Sequence, residues 1–333
     1  MSVADKDPLI LDFVGDFDDE VQPTNWDDID LEEMFDLPPV LPPVRLPEEA
    51  ELAVQARGSA LLADLHALAD DVRSTKVQAT AIDPVLLWLA EEAELVERDG
   101  EDLVPGEDAG WLDDLADDGD ALDAWENIFA AVLDTTVEAA DDSEPIVAPD
   151  LELDGHGPAL ATMLFVSGPD GVPITELAEA IEGATTADLE AEEAGRQWRE
   201  WVEAHGDPTR LLLGQLERLG AISVTDDAAR LEPLGVHAVR LKLERDGLFV
   251  PVLPAPDKMT PDDLVLVFLH GGDDDLQSEL ASWTDSRGQE QAARELLAFA
   301  AGGNAATRTA AVAMVARLGQ AAEPAWREAL DRA

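Results

Sequence analysis

A unit of helix, strand, tight turn and strand occurs twice in this chain, about 126 to 128 residues apart, and this repetition limits the architecture more than any other feature. In the first copy Asp83-Pro84 opens a helix through Leu86, Leu87, Leu89 and Ala93. Pro at the first helical position gives up an N–H that has no partner there in any case, and the preceding Asp suits the cap. Leu95-Val96-Glu97-Arg98 and Leu103-Val104-Pro105 then flank Asp99-Gly100, a strong hairpin signal. In the second copy Asp207-Pro208 opens a helix carrying Leu211, Leu212, Leu216 and Leu219. Ala221-Ile222-Ser223-Val224, a turn at Asp226-Asp227 and Arg230-Leu231-Glu232-Pro233 follow. In both copies the strand ends in Pro and leads to a further helix with a Gly near its start, Gly110 and Gly235.

The second copy is the fuller one. Pro158 to Ser167 reads as an apolar helix, and Pro173-Ile174-Thr175-Glu176 starts another with a Thr cap and a buried stripe of Leu177, Ala178 and Ile181. Three helices followed by a two-stranded wing is the winged-helix order. An additional helical segment, 184 to 206, lies before the last helix. Its Trp198 and Trp201, three apart on one face, are read as core anchors rather than a base-stacking platform, because Glu190, Glu192, Glu193, Glu200 and Glu203 surround them.

On Leu86 to Gly110, Leu211 to Gly235 and the C-terminal helices, the chain resembles a group of uncharacterised actinobacterial proteins built from winged-helix-like repeats. The resemblance implies tandem winged-helix modules and a helical C-terminal region. It brings no catalytic residues and no ligand. The fold expected is mainly α with small β-wings. A degenerate module spans 48–145, a linker 146–157, a second module 158–250 with the insertion 184–206, and a HEAT-like helical region 260–333.

Charge decides what such modules can touch. Across 333 residues, 21 Lys and Arg stand against 74 Asp and Glu, a formal net charge of −53. Residues 1 to 150 carry 6 basic and 42 acidic side chains, and residues 151 to 333 carry 15 and 32. A surface of this sign repels nucleic acid and anionic membrane. DNA-reading helices present cationic or amide groups. The first copy instead offers Glu91, Glu92 and Glu94. In the second, Arg210, Gln215 and Arg218 are the candidate DNA-contacting residues, beside Glu217 and an Asp226-Asp227 wing tip.

Residues 1 to 47 read as a tail. Trp26, Asp27, Asp28, Ile29, Asp30, Glu32, Glu33, Met34 and Phe35 interleave carboxylates with large apolar groups, before Pro38-Pro39-Val40-Leu41-Pro42-Pro43 enforces an extended conformation. Two arrangements fit: a short helix around 27 to 36 that offers Trp26, Ile29, Met34 and Phe35 to a partner's groove while its carboxylates meet a basic rim, or a solvating appendage that docks back on its own domain. Residues 301 to 333, with four Arg and three acids, are the candidate dock for it.

The C-terminal third reads as helical. Thr260-Pro261-Asp262-Asp263 is a Thr cap, Pro and two first-turn acids, with Gly271-Gly272 closing a helix over 261–270. Asp273-Asp274-Asp275 reads as the start of a further helix, its charges favourable there. Ala292 to Phe299, Thr307 to Leu318 and Pro324 to Leu330 are short Ala-rich amphipathic helices, a HEAT-type pair with a closing helix.

Enzymatic chemistry finds no purchase. The chain has no Cys, which excludes disulfides, thiol catalysis and zinc-cysteine sites. His270-Gly271-Gly272 resembles a hydrolase oxyanion stretch, but no Gly-x-Ser-x-Gly elbow or later His accompanies it. His66, His156, His205, His237 and His270 lack metal-ligand spacing and read as surface or cap residues. A calcium loop over 114–126 fails at Ala116 and Trp125. Gly155-His156-Gly157 reads as a linker turn, and no phosphate loop is present. No cofactor or metal is expected. The N-terminus lacks a signal peptide pattern and no apolar run approaches a membrane span of ~18 residues, so a cytoplasmic location is expected. The function expected is that of a non-enzymatic interaction or regulatory protein whose acidic surface and tail engage a basic protein partner, with DNA mimicry as a special case. The alternative is an autoinhibited winged-helix DNA-binding regulator, masked by its own tail.

Overall fold

The computed structural model describes residues 40–115, 117–135, 156–185, 191–225 and 227–332, which are mainly helical with three small sheets. No helix among them is long and apolar enough to cross a membrane.

The chain enters as a short strand, β1 (Val44–Arg45), followed by α1 (Glu49–Arg57) and α2 (Ala60–Ser74). Next come β2 (Val77–Gln78), a 3₁₀ turn (Ala79–Ala81), α3 (Pro84–Glu92), β3 (Val96–Asp99) and β4 (Asp102–Pro105). Asp83 caps α3 as its sequence requires: the carboxylate accepts from the Leu86 N–H at 3.0 Å. β4 lies between its two antiparallel neighbours, with Val77 opposite Leu103 and Val96 opposite Pro105. The register leaves Gly100 and Glu101 as a two-residue hairpin loop, and Gly100 adopts φ +70°, the region that a side chain disfavours. A second 3₁₀ turn (Trp111–Asp113) leads to the long α4 (Asp118–Thr135).

The same plan returns in α5 (His156–Val166), β5 (Val172–Pro173), α6 (Ile174–Thr185), α7 (Ala191–His205), α8 (Pro208–Leu219), β6 (Ile222–Val224), β7 (Ala228–Leu231) and α9 (Pro233–Arg245). The sheet order β5-β7-β6 repeats β2-β4-β3. Ile222 faces Leu231 and Val224 faces Ala229, each residue 126 positions beyond its counterpart in the first hairpin. The ends of the two helices agree as well. Glu94 (φ 52°) and Gly220 (φ 79°) hold the same left-handed position, and the next residues, Leu95 and Ala221, donate back to Ala90 and Leu216, each at 2.9 Å. The copies diverge before α3 and α8, where the first has only the 3₁₀ turn and the second has α6 and α7.

The two units share one core. α4 packs on α1, α5 and α8, and its fully buried Trp125 stacks on Phe129 with ring centroids 5.2 Å apart. The Trp125 indole N–H donates at 2.8 Å to the carbonyl of Leu219, the last residue of α8. A helix end leaves its final carbonyls without intrahelical donors, so this bond satisfies two buried groups at once. Gly157, buried in the first turn of α5, packs so closely on the carbonyl of Leu133 that a Cβ would overlap it.

Residues 249–254 run beside residues 40–45: Val40 bridges Phe249, and β1 pairs in parallel with β8 (Val252–Leu253). Beyond them α10 (Pro261–His270), α11 (Asp273–Arg287), α12 (Gln289–Gly302), α13 (Ala305–Arg317) and α14 (Glu323–Arg332) build a second core around Leu264, Trp283, Leu296 and Met314. Thr260 and Asp263 form a reciprocal capping box on α10. Trp283 donates to the Met259 carbonyl at 3.0 Å, and the Arg287 guanidinium lies 4.7 Å from the centre of its ring.

Several expectations need correction. Leu41 and Val44 pack on the core, so residues 40–47 of the stretch read as tail belong to the folded unit; the prolines extend them, as expected, and the apolar residues dock them. His156 and Gly157 open α5 rather than a linker turn, because Gly157 permits the close approach to α4. Gly110 is not the counterpart of Gly235. Gly235 and Gly106 abut backbone carbonyls, of Ala221 and Glu94, whereas a Cβ on Gly110 would meet only side chains at 3.6 and 3.8 Å. The helices expected at 292–299 and 324–330 are each longer, and α11 is a full helix.

Gly235→Ala should lower unfolding stability by about 1–3 kcal/mol through overpacking on Ala221, whereas Gly183→Ala, in open space on α6, should raise it by about 0.5–1 kcal/mol. Trp125→Phe, which removes the donor and leaves the Leu219 carbonyl buried, should cost about 1–3 kcal/mol. Urea denaturation followed by circular dichroism measures all three.

Candidate functional site

A groove of about 790 Å³ lies where the two repeated units, residues 45–48 and residues 252–256 meet. Its apolar wall comes from Leu46, Leu52, Leu122, Leu241, Val252 and Leu253. At its base His237 on α9 meets Glu126 on α4, Nε2 to Oε1 2.9 Å, with the two side chains only 15% and 27% exposed. One turn along α9, Arg240 donates to Glu244 at 2.8 Å, and its Nε is buried without an acceptor among the described residues. Arg45 donates to the Pro254 carbonyl and to Glu279 on α11, the latter at 2.5 Å.

The rim differs in sign from the base. Glu49, Glu51 and Asp123 are exposed and have no basic partner among the described residues. Glu48 has only a long pairing, 3.8 Å from Lys258. The groove therefore combines basic groups that already have acidic partners, an apolar wall and a carboxylate edge. It was not legible as a site, although His237, Arg240, Leu241 and Glu244 recur at helical spacing on α9 and marked a mixed polar stripe there.

The residues proposed to contact DNA do not act together. Arg210 is well exposed, at 68%, near the start of α8, with Asp207 at 3.6 Å. Arg218 donates to Gln215 at 3.1 Å and to Asp64 on α2 of the first unit at 2.7 Å. Of the three groups, Arg218 is thus engaged across the joint between the repeats, and Gln215 is engaged by Arg218 on the same helix. In the first copy Glu91 accepts from Arg98 at 2.7 Å, while Glu92 and Glu94 are exposed. Trp26, Asp27, Asp28, Ile29, Asp30, Glu32, Glu33, Met34 and Phe35 lie outside the described residues. Trp201 is buried and stacks with Trp198 at 6.2 Å, in keeping with a packing role.

A second polar cluster was missed because its members are distant in sequence. His66, Asp70 and Asp113 bring three ligand-type atoms within 4.8 Å of one another. Arg73, one turn beyond Asp70 on α2, occupies the centre, bonding both carboxylates of Asp113 and Asp70. Hydrogen bonds from Arg73 hold the Asp113 carboxyl at about 2 against the opposing effect of burial, with His66 adding to the depression. A carboxyl whose pKa falls on folding contributes stability above its unfolded pKa and loses it as the pH drops through the folded value. Asp113→Asn should therefore be less stable than the parent near neutral pH, and thermal melts should show the gap closing between about pH 4 and about pH 2.

The chain matches no protein-family model, no curated protein and no solved structure. Its site must be read from its own geometry.

Proposed function

We propose that the chain is a non-enzymatic interaction protein, two winged-helix modules followed by a HEAT-like helical region, which engages a basic protein partner through its acidic surface and N-terminal tail. The repeated helix, sheet order and 126-residue register support the module reading. The observation that carries the functional reading is the Arg218–Asp64 pair. In a winged helix the helix before the wing faces DNA. Here that helix, α8, lies against α2 and α4, and the cation of its last turn, Arg218, is paired with Asp64 of the first module. The equivalent α3 carries Glu91 and Glu92, which would meet phosphates with the wrong sign.

What such a surface attracts is positive charge. Mimicry of DNA is the version of this reading in which ordered carboxylates take the place of phosphates on a DNA-binding protein. The autoinhibited DNA reader keeps one supporting feature, the exposed Arg210.

Fluorescence anisotropy of labelled decalysine and of a labelled duplex separates the two. The full-length chain should bind decalysine in a salt-sensitive manner, and Lys at positions Asp27, Asp28, Asp30, Glu32 and Glu33 should weaken that binding about tenfold or more while helicity is retained. Duplex binding that emerges on deletion of residues 1–39 and vanishes with Arg210→Glu would replace this reading with the DNA-binding one.

A further inference from the structure

We infer that the groove between the repeats is the docking site for a cationic amphipathic segment of a partner protein, one that alternates or intersperses Lys or Arg with aliphatic side chains. The inference rests on the basic-partner reading above and assigns it a place and a second chemical requirement.

Charge bookkeeping within the groove selects the sign of the occupant. Every basic group that lines it already has an acid: Arg45 has Glu279, Arg240 has Glu244 and His237 has Glu126. The carboxylates left over, Glu49, Glu51 and Asp123, have no basic partner among the described residues, and all three stand on the exposed edge. An anionic ligand would meet these three before it met a cation, whereas a cationic one finds them uncommitted. Charges at a solvated rim steer and orient a partner more than they hold it.

The wall supplies what the rim does not. Leu46 and Val252, the latter 44% exposed, stand on the two extended segments that border the groove, and Leu241 faces them from α9. An apolar wall with a charged edge is matched by an amphipathic segment whose aliphatic groups lie inward and whose ammonium or guanidinium groups reach the edge. The chain's own N-terminal segment does not meet this description: residues 1–39 carry thirteen acids and one Lys. The occupant is therefore another protein.

The test uses the full-length chain and two labelled probes, decalysine and an alternating Lys-Leu peptide of the same length, read by fluorescence anisotropy at low and moderate salt. The Lys-Leu peptide should bind more tightly than decalysine, and the difference should persist as salt is raised. Glu49→Lys, Glu51→Lys and Asp123→Lys together should weaken it about tenfold or more, whereas reversing three exposed acids of the first hairpin region, Glu97, Glu101 and Glu107, should change it less than about threefold. Leu46→Gln with Val252→Gln should abolish the preference for Lys-Leu over decalysine at unchanged thermal stability. Equal losses from the two sets of reversals, or a preference that survives the Gln variants, would overturn the groove as the site. If tail reversal still weakens decalysine binding in that case, the basic-partner reading stands without it. A full-length chain that binds neither peptide overturns both.

Discussion

The bond from the Trp125 indole to the Leu219 carbonyl joins the two repeats at their most demanding point. Its donor is the polar end of the largest fully buried side chain in the first unit, and its acceptor is an orphan carbonyl at the end of α8. Neither group has water to turn to, so α4 and α8 must stay in contact for both to be satisfied. Around this bond lie the Arg218–Asp64 pair, the close approach of Gly157 to Leu133 and the His237–Glu126 pair. Of these, the His237–Glu126 pair joins α4 to α9 at the groove.

On the proposed winged-helix reading, the joint accounts for why α8 is not free to read DNA. A surface helix read by a ligand must present its polar side chains outward. α8 commits Arg218 to Asp64 of its neighbour, with Gln215 held by Arg218, and buries Leu212, Leu213, Leu216 and Leu219. Its exposed residues are Arg210, Leu211 and Glu217. The excess of acids is not confined to the N-terminal segment; it extends onto folded surfaces, including the groove rim.

Local rules made much of the fold legible. Asp-Pro at a helix start, Asp-Gly at a hairpin and Thr-Pro-Asp-Asp before α10 each prescribe a backbone geometry within a few residues, and the structure contains each of them. The two hairpins were readable for the same reason, but not to the residue: the first loop falls on Gly100-Glu101 rather than Asp99-Gly100, and the second strand is Ala228–Leu231, with Pro233 opening α9 instead of ending the strand. What escaped was long-range. His66 and Asp113 are 47 positions apart, Glu126 and His237 are 111, and nothing in either neighbourhood announces the other. The close-packed glycines were misassigned on similar grounds. Gly106 and Gly110 look alike in sequence, and only the path of the chain past Glu94 makes one of them sterically necessary.

The parallel pairing of β1 with β8 has a kinetic corollary. Arg45 meets Pro254 across 209 positions of sequence, so β1, the first of the described strands, has no partner until nearly all of both repeats has followed it. Contacts of such separation close only after more local ones have formed, because their loop entropy is large and their own enthalpy is that of a two-residue ladder. The repeats must therefore assemble with one border of the groove still unbuilt. Its completion belongs to the end of folding, when residues 40–45 settle beside 249–254 and Arg45 reaches across to the C-terminal helices.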